Sequence, residues 1–286
     1  FDENARRRRV GLIAGAEAGA AQPLLSPLHY IRRALEPFSD LIEPASADLT
    51  EAIPQLIAQH PAMIVLADVT TLPDEAREKL LEWLEGGGML VRFAGPLLAA
   101  GGDDEELLPV RLRTGERALG GALSWTEPQA VSEFPPNSPF ADLPPPAEIT
   151  VSRQVLAEPG ADIVERTWAS LADGTPLVTG ASRGDGTLVL FHIAPDATWS
   201  SLPISGTFVE MLQRLVQLST NQGQIATEVG RAGASLAPYR MIGADGSLTA
   251  PGPDARPINL GAAPLVTLDN PPGFYGTEDA LVAHNL

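Results

Sequence analysis

Several ionisable side chains stand directly after apolar runs of the sequence, where buried strands are predicted to end. In open α/β sheets, ligands bind in the crevice outside the carboxyl ends of the strands. A carboxylate or an imidazole at such a position can act as a general acid or base. The residues nearest these ends, and therefore the candidates for a ligand cleft, are Glu17, Asp68, Ala94, Gly95, His192 and Asp196.

The ionisable candidates also have an alternative that involves no ligand. Asp68 and Asp196 are typical of carboxylates that cap a helix or a turn. His192 lies near the end of the apolar run Thr187–Ile193. We therefore expect a buried histidine whose ring is hydrogen-bonded to backbone or to a nearby acid rather than to a metal.

The segment Gly180-Ala-Ser182-Arg-Gly184 matches the Gly-x-Ser-x-Gly pattern of hydrolase nucleophile elbows. That mechanism needs a strand, a sharp turn and then a helix, so that the serine is lifted above the helix N-terminus. Here Asp185-Gly186 and an apolar run follow instead. This order predicts a hairpin turn, and it gives Ser182 no role as a nucleophile.

The residue types that are missing exclude several chemistries. The chain has no cysteine, which excludes disulfides, thiolate metal sites, iron–sulfur clusters and a cysteine nucleophile. Its four histidines are too far apart in the sequence for a His-x-x-x-His metal site. Neither a Gly-x-Gly-x-x-Gly pattern nor a Gly-Lys-Ser/Thr phosphate loop is present. We predict no cofactor, no metal site and no catalytic residues.

The elements that would position the candidate residues follow from the hydrophobic pattern, in which short apolar runs alternate with segments of helical periodicity. The predicted strands are Val10–Ala14, Asp40–Pro44, Ala62–Val69 and Met89–Phe93, and the predicted helices cover residues 29–38, 48–59 and 71–84. This alternation predicts an α/β fold, a flavodoxin-like parallel sheet with helices on both faces. Leu188–His192 is expected to join the same sheet, beside Met89–Phe93.

The pattern changes twice further along the chain. Short extended segments are predicted at residues 118–125, 149–156, 164–171 and 177–181, and Asp173-Gly174 predicts a hairpin. An amphipathic helix is predicted over Thr207–Leu218. Beyond Asn221 we predict no helix, only short strands between turns, at residues 239–242, 247–250, 265–268 and 280–285. The predicted domains are therefore an α/β domain over 1–220 and a small β-rich C-terminal segment over 221–286.

Composition narrows the classes of partner. The 286 residues are 44% hydrophobic and 19% charged, which is typical of a folded chain rather than a disordered acidic one. The formal net charge of −17 disfavours nucleic acid and anionic lipid as partners of the whole domain, because both require a positive field. The basic run Arg6–Arg9 is either a solvated lead-in to the first strand or a segment close to a membrane or a partner.

Four segments together resemble the class I glutamine amidotransferase-like fold, including its ThuA-like relatives. They are VGLIAG, AMIVLADV, DEAREKLLEWLEGGG followed by MLVRFAGP, and GTLVLFHIAPD before a last helix. The resemblance implies a nucleophilic cysteine on the turn after Met89–Phe93, with a histidine and an acid after the late strand. Here that turn is Phe93-Ala94-Gly95-Pro96, and His192 and Asp196 fall near the other two positions with altered spacing. The resemblance therefore implies a degenerate site without glutaminase activity.

Two longer segments are similar to the soluble domain of bacterial membrane proteins of the Bat (aerotolerance) type. They are GTPLVTGASRGDGTLVLFHIAPDATWSSLPISGTFVEMLQRLV and PPGFYG followed by ALVAHNL. One branch of that group carries a domain of unknown function, DUF4159. The resemblance implies an inner-membrane protein whose soluble domain is periplasmic, anchored by flanking segments and bound to protein partners. The start at Phe1, without methionine, also favours a piece of a longer protein.

Three functions are open at this point. The empty nucleophile position favours a non-catalytic interaction or scaffold domain of a membrane-anchored protein. A small-molecule binding domain, for a sugar-like or other polar ligand, would use the cleft at the carboxyl ends of the strands. A hydrolase without cysteine would use Asp or His chemistry in that same cleft. A ligand over Gly15, Asp68 and Ala94 would favour the second or third function, and a filled cleft would favour the first.

Overall fold

The chain divides into two compact units, one over residues 7–220 and one that begins at Asn221. The computed structural model describes residues 7–15, 26–101, 105–113, 122–144, 146, 148–229, 235–242, 248–252, 255–259, 267, 270–277 and 280–284. Within these ranges, no helix is both long and apolar enough to cross a bilayer.

The first unit is built on a seven-stranded sheet. Its strands are β1 (Arg8–Ala14), β2 (Ser39–Ile42), β3 (Met63–Ala67), β4 (Met89–Phe93), β7 (Thr167–Ser170), β8 (Pro176–Arg183) and β9 (Gly186–Phe191), and a separate ribbon pairs β5 (Ala122–Ala130) with β6 (Thr150–Val155). The sheet order is β2-β1-β3-β4-β9-β8-β7. The α/β prediction is confirmed, since β1, β3, β4 and β9 are neighbouring parallel strands.

β8 runs antiparallel to the other strands of this sheet, so the sheet is mixed rather than purely parallel. β8 pairs with β9 across the hairpin predicted at Asp185-Gly186, and Ser182 lies opposite Thr187 inside the ladder. β7 pairs with β8 across the turn at Asp173-Gly174, where Gly174 has a φ of 87°. Tight turns of this kind can join only antiparallel strands, which is why the parallel order ends at β9.

Helices cover both faces of the sheet. They are α1 (His29–Leu35), α2 (Leu49–Ile57), α3 (Asp74–Glu85), α4 (Pro96–Ala100), α5 (Ile163–Arg166) and α6 (Gly206–Val229). Ile31 of α1 and Phe208 of α6 belong to one apolar cluster, which packs on the Val91 face of β4. Ile53 of α2 and Leu80 of α3 belong to a second cluster, on the Leu90 face. The predicted cap is present, since Asp48 accepts a hydrogen bond from the Thr50 amide at 2.9 Å.

The extended segment predicted at residues 164–171 begins with a helical turn instead of a strand. Residues 163–166 form the short helix α5 before β7 begins at Thr167. The helical turn is favoured because Arg166 pairs with Asp162 and also donates to the Pro109 carbonyl at 2.5 Å. Val164, which the hydrophobic pattern placed in a strand, is 77% exposed on this turn.

Two arginines of the basic run, Arg7 and Arg9, bind carbonyls near helix ends. Arg7 Nη1 donates to the Glu36 carbonyl after α1 at 3.5 Å, and Arg9 Nη1 donates to the Gln59 carbonyl after α2 at 2.9 Å. The last carbonyls of a helix lack partners within the helix and carry the negative end of its dipole, so cations stabilise them. These arginines therefore do more than lead into the first strand. Arg6 lies outside the described residues.

Beyond the end of α6, the described part of the second unit consists of short strands. They are β10 (Ser235–Leu236), β11 (Pro238–Ile242), β12 (Leu248–Thr249), β13 (Ile258–Asn259), β14 (Gly273–Thr277) and β15 (Ala280–His284). β11, β12 and β15 lie at three of the predicted runs, whereas most of the run 265–268 lies outside the described residues. The strands form one sheet in the order β12-β11-β14-β15 and a separate β10–β13 pair. In the described part of this unit, the buried apolar cluster consists of Met241, Ile258 and Tyr275.

The prediction of no helix after Asn221 was wrong, because α6 continues to Val229. The residues beyond Asn221 include glutamine, alanine and glutamate, which are good helix formers. Gly223 costs about 1 kcal/mol relative to alanine, which weakens a helix but does not end it.

Candidate functional site

Asp68 follows β3 and caps α4, the helix that follows the neighbouring strand β4. Its carboxylate accepts hydrogen bonds from the amides of Leu98 at 2.9 Å and Leu97 at 3.3 Å, at the start of α4. Its own amide donates to the Phe93 carbonyl. Burial raises the pKa of the Asp68 carboxyl, and the nearby charge of Asp196 adds to this, while the amide bonds act in the opposite direction. Asp68 therefore couples the ends of β3 and β4.

Ala94 and Gly95, on the turn after β4, lie behind this carboxylate. Ala94 is fully buried, and its amide donates to the Phe191 carbonyl at 2.8 Å. A Cβ atom added to Gly95 would lie 2.4 Å from Cγ of Asp68. The turn therefore has no room for a side chain at Gly95 while the Asp68 carboxylate holds its place.

His192 is fully buried at the end of β9, and both of its ring nitrogens have partners. Nδ1 donates to the Val155 carbonyl at 2.9 Å, and Nε2 lies 3.0 Å from Oγ1 of Thr179, which donates to it. Burial lowers the pKa of His192 to about 4, and the bond to Val155 opposes that shift only in part. His192 is thus a neutral core histidine joining β6, β8 and β9, the alternative that involves no ligand.

Asp196 follows His192 but does not bond to its ring. The Asp196 carboxylate accepts from the amide of Thr198 at 2.8 Å and from the Thr198 hydroxyl at 2.5 Å. Asp196 lies near enough to Asp68 for its charge to raise the pKa of the Asp68 carboxyl, whereas the His192 ring turns towards the interior. No histidine–acid pair of the amidotransferase kind is formed between these two residues. Glu17, the remaining candidate, lies outside the described residues.

At the ends of β3, β4 and β9, the carboxyl edge is a capped and packed junction. Among the candidates that the structure describes, only Asp196 is partly exposed, and one of its carboxylate oxygens, Oδ1, is engaged in a turn with Thr198. Within the described ranges, no group of three or more histidine, aspartate or glutamate side chains is placed to hold a metal ion.

A cavity of about 400 Å³ lies at the carboxyl ends of β1 and β2, and none of the candidate residues that the structure describes lines it. Its polar lining includes Arg32 and Glu43, which form an ion pair at 2.7 Å. Glu43 directly follows β2, so the rule that ligands bind at strand ends could have singled it out. Arg32 lies within α1, and nothing in the local sequence indicates that its side chain reaches Glu43.

Comparison with known proteins supports the fold and goes no further. No protein-family model matches the chain, and no curated protein matches it. A cytoplasmic protein from Salmonella typhimurium has a similar structure, with a TM-score of 0.56 and 15% identity over 74% of this chain and 98% of its own.

Two proteins described as ThuA-like are also similar in structure. The one from Parabacteroides merdae has a TM-score of 0.50 and 16% identity, over 75% of this chain and 90% of its own. The one from Bacteroides uniformis has a TM-score of 0.51 and 12% identity, over 76% and 93%. At such identities the likeness concerns architecture alone, and it shows a ThuA-like α/β fold.

Proposed function

We propose that this chain supplies a non-catalytic interaction domain to a membrane-anchored bacterial protein, with its α/β unit as a degenerate amidotransferase-like scaffold. The observation that carries the proposal is the contact between Asp68 and Gly95. The carboxylate of Asp68 occupies the space that a side chain at Gly95 would need, 2.4 Å from its Cβ position. The amides of Leu97 and Leu98 hold the carboxylate there.

The neighbouring positions add to this argument. Ala94 contributes only a buried methyl group to the turn. His192 uses both ring nitrogens for internal hydrogen bonds, so it offers no base to a substrate. A scaffold needs none of these groups to be reactive, whereas acyl transfer needs a nucleophile and a base within reach of each other.

The experiment compares one substitution at the carboxyl edge with one on the surface. Asp196→Asn keeps the side-chain oxygen that caps Thr198 and removes the charge. Ile204→Glu places a charge on an apolar side chain that is 63% exposed after β9. The matched control is Gln55→Glu, at an exposed position of α2 on the opposite face of the sheet.

The readout is co-purification of a stoichiometric protein partner with the full-length protein from solubilised inner membranes. We expect Ile204→Glu to weaken it, and Asp196→Asn and Gln55→Glu to leave it unchanged. If Asp196→Asn abolishes the function of this protein in the cell while the partner remains bound, the domain would instead be an enzyme.

The membrane setting is the finer part of the proposal, and it rests on the Bat-type sequence resemblance. A reporter fused after Leu286 in the full-length protein tests it. Alkaline phosphatase activity supports a periplasmic domain, and fluorescence from a reporter that folds only in the cytoplasm rejects one.

A further inference from the structure

The 400 Å³ cavity lies between the end of β1 and the segment that follows β2. The chain leaves β1 towards α1 on one face of the sheet and leaves β2 towards α2 on the other. The cavity therefore lies at the carboxyl ends of two strands, the edge at which open α/β sheets hold ligands. The volume is also within the range of small-molecule sites, about 300–1,000 Å³.

One part of the lining carries paired charges. Nε and Nη2 of Arg32 lie 2.8 and 2.7 Å from Oε1 of Glu43. Both side chains are partly exposed, at 40% and 43%. In the described part of the chain, Nη1 of Arg32 and Oε2 of Glu43 make no hydrogen bond. The rim therefore presents one cationic donor and one anionic acceptor beside each other.

Two serine residues, Ser26 and Ser46, line the same cavity. Oγ of Ser26 accepts from the Leu28 amide at 3.3 Å, and Oγ of Ser46 accepts from the Asp48 amide at 3.2 Å. Each hydroxyl acts as an acceptor in its turn, so its proton remains able to donate to a bound oxygen. The wall beneath these groups is aliphatic and includes Leu12, Leu28 and Ala52.

We propose that this cavity binds a free α-amino acid with an aliphatic side chain. The ligand carboxylate accepts hydrogen bonds from Arg32 and the serine hydroxyls, and its ammonium group donates to Glu43. The aliphatic side chain packs on Leu12 and Leu28. A zwitterion satisfies both members of the ion pair, whereas a ligand with a single charge satisfies one and competes with the pair for it. The site lies beside the Asp68 edge, since its lining residue Gly15 packs against the Asp68 backbone, and its proposed ligand goes beyond the interaction function.

The test is a titration of the full chain with four probes, followed by NMR or calorimetry. L-leucine is expected to bind saturably. Isocaproate, which lacks the ammonium group, and isopentylamine, which lacks the carboxylate, are each expected to bind at least about tenfold more weakly. Glucose is expected not to bind. No saturable binding of leucine at millimolar concentration, equal binding of isocaproate, or binding of glucose in its place would each overturn the proposal.

Variants locate the binding. Arg32→Ala removes one side of an exposed ion pair, which costs little stability, and is expected to weaken leucine binding about tenfold. Arg77→Ala is the matched control, because Arg77 also forms a helix-surface ion pair, with Asp74 on α3, and is expected to leave binding unchanged. Ala45→Phe fills the cavity from an exposed rim position and is expected to abolish binding. Leucine binding that survives both Arg32→Ala and Ala45→Phe would place the ligand elsewhere and refute the proposal.

Discussion

At the residue scale, Asp68 is held in a conformation that costs free energy and has a structural use. Its φ is 50°, in the left-handed region that aspartate tolerates better than most residues. That conformation accompanies a carboxylate that accepts from the first amides of α4. A cap supplied from another strand stabilises both the helix end and the contact between β3 and β4.

Gly95→Ser should destabilise the protein, because it disturbs the contact between Gly95 and the Asp68 carboxylate. We expect a loss of about 1–3 kcal/mol, because the new Cβ overlaps Asp68 and either the carboxylate or the turn must shift. The backbone of Gly95, with φ −128°, suits any residue, so the cost comes from the overlap. In an Asp68→Gly background the same substitution should cost at least about 1 kcal/mol less. Urea unfolding of the four proteins measures this coupling, and strictly additive costs would contradict it.

His192 predicts a pH dependence of stability. Burial lowers its pKa in the fold to about 4 from the ordinary histidine value of 6.5, so between these values the unfolded chain binds more protons. Stability should be fully present above pH 6.5 and should fall as the pH drops towards 4, by about 3 kcal/mol in total. Denaturant unfolding as a function of pH measures the slope.

The control for this prediction is His192→Gln. It should lower stability at pH 7 by about 1–3 kcal/mol, because Thr179 and Val155 lose a well-placed partner. It should also flatten the profile between pH 4 and 6.5. The raised pKa of Asp68 acts in the opposite direction, since its protonated form is favoured in the fold. Both proteins are therefore compared in an Asp68→Asn background, and an unchanged slope there would show that His192 is not the titrating group.

At the scale of elements, the β7–β8–β9 meander explains the Gly-x-Ser-x-Gly match. The indole of Trp168 on β7 lies over Gly180 on β8, where an added Cβ would be 2.2 Å from the ring. The same ring contacts Phe140 edge to face, with centroids 6.2 Å apart. The first glycine of the pattern is thus required by packing, and Ser182 is an exposed strand residue.

Gly180→Val should therefore displace Trp168. We expect a loss of about 1–3 kcal/mol and a change in tryptophan fluorescence, because overpacking forces the ring from its site. Gly206→Ala is the matched control. Nothing lies within 4 Å of the added Cβ, and the position begins α6, so its effect should be neutral or slightly stabilising. Trp168→Ala should remove most of the penalty of Gly180→Val, and a penalty that persists in the double variant would argue against this packing.

At the scale of the whole molecule, the absence of cysteine and the packed turn after β4 together predict that the protein does not hydrolyse glutamine. The full chain should release no ammonia from glutamine above a heat-inactivated sample. The comparison variant is Asp68→Gly with Gly95→Cys, which makes room for a thiol. It should also remain inactive, because His192 faces Thr179 and Val155 rather than the turn. Ammonia release by the original protein that disappears on His192→Ala would refute the prediction.

Much of the fold was determined by the sequence alone, because its signals are local. Met63–Ala67 is apolar on both faces, as is Met89–Phe93 apart from Arg92, and only a buried central strand satisfies such runs. Asp48 before Thr50 predicts a helix start, and Asp185-Gly186 predicts a hairpin. Each of these features depends on a few neighbouring residues. The lack of cysteine likewise excluded a class of chemistry without any structure.

The remaining features depend on residues far apart in the chain, and only the tertiary structure decided them. Asp68 could have been a catalyst or a cap, and its bonds to Leu97 and Leu98 made it a cap. His192 could have faced a cleft, but its partners come from β6 and β8. The Arg32–Glu43 pair links α1 to the end of β2 and lines a cavity, and no local sequence pattern indicated that the Arg32 side chain reaches Glu43. The physical reason is that hydrogen bonds and burial depend on which side chains meet in space, and local hydrophobic periodicity does not contain that information.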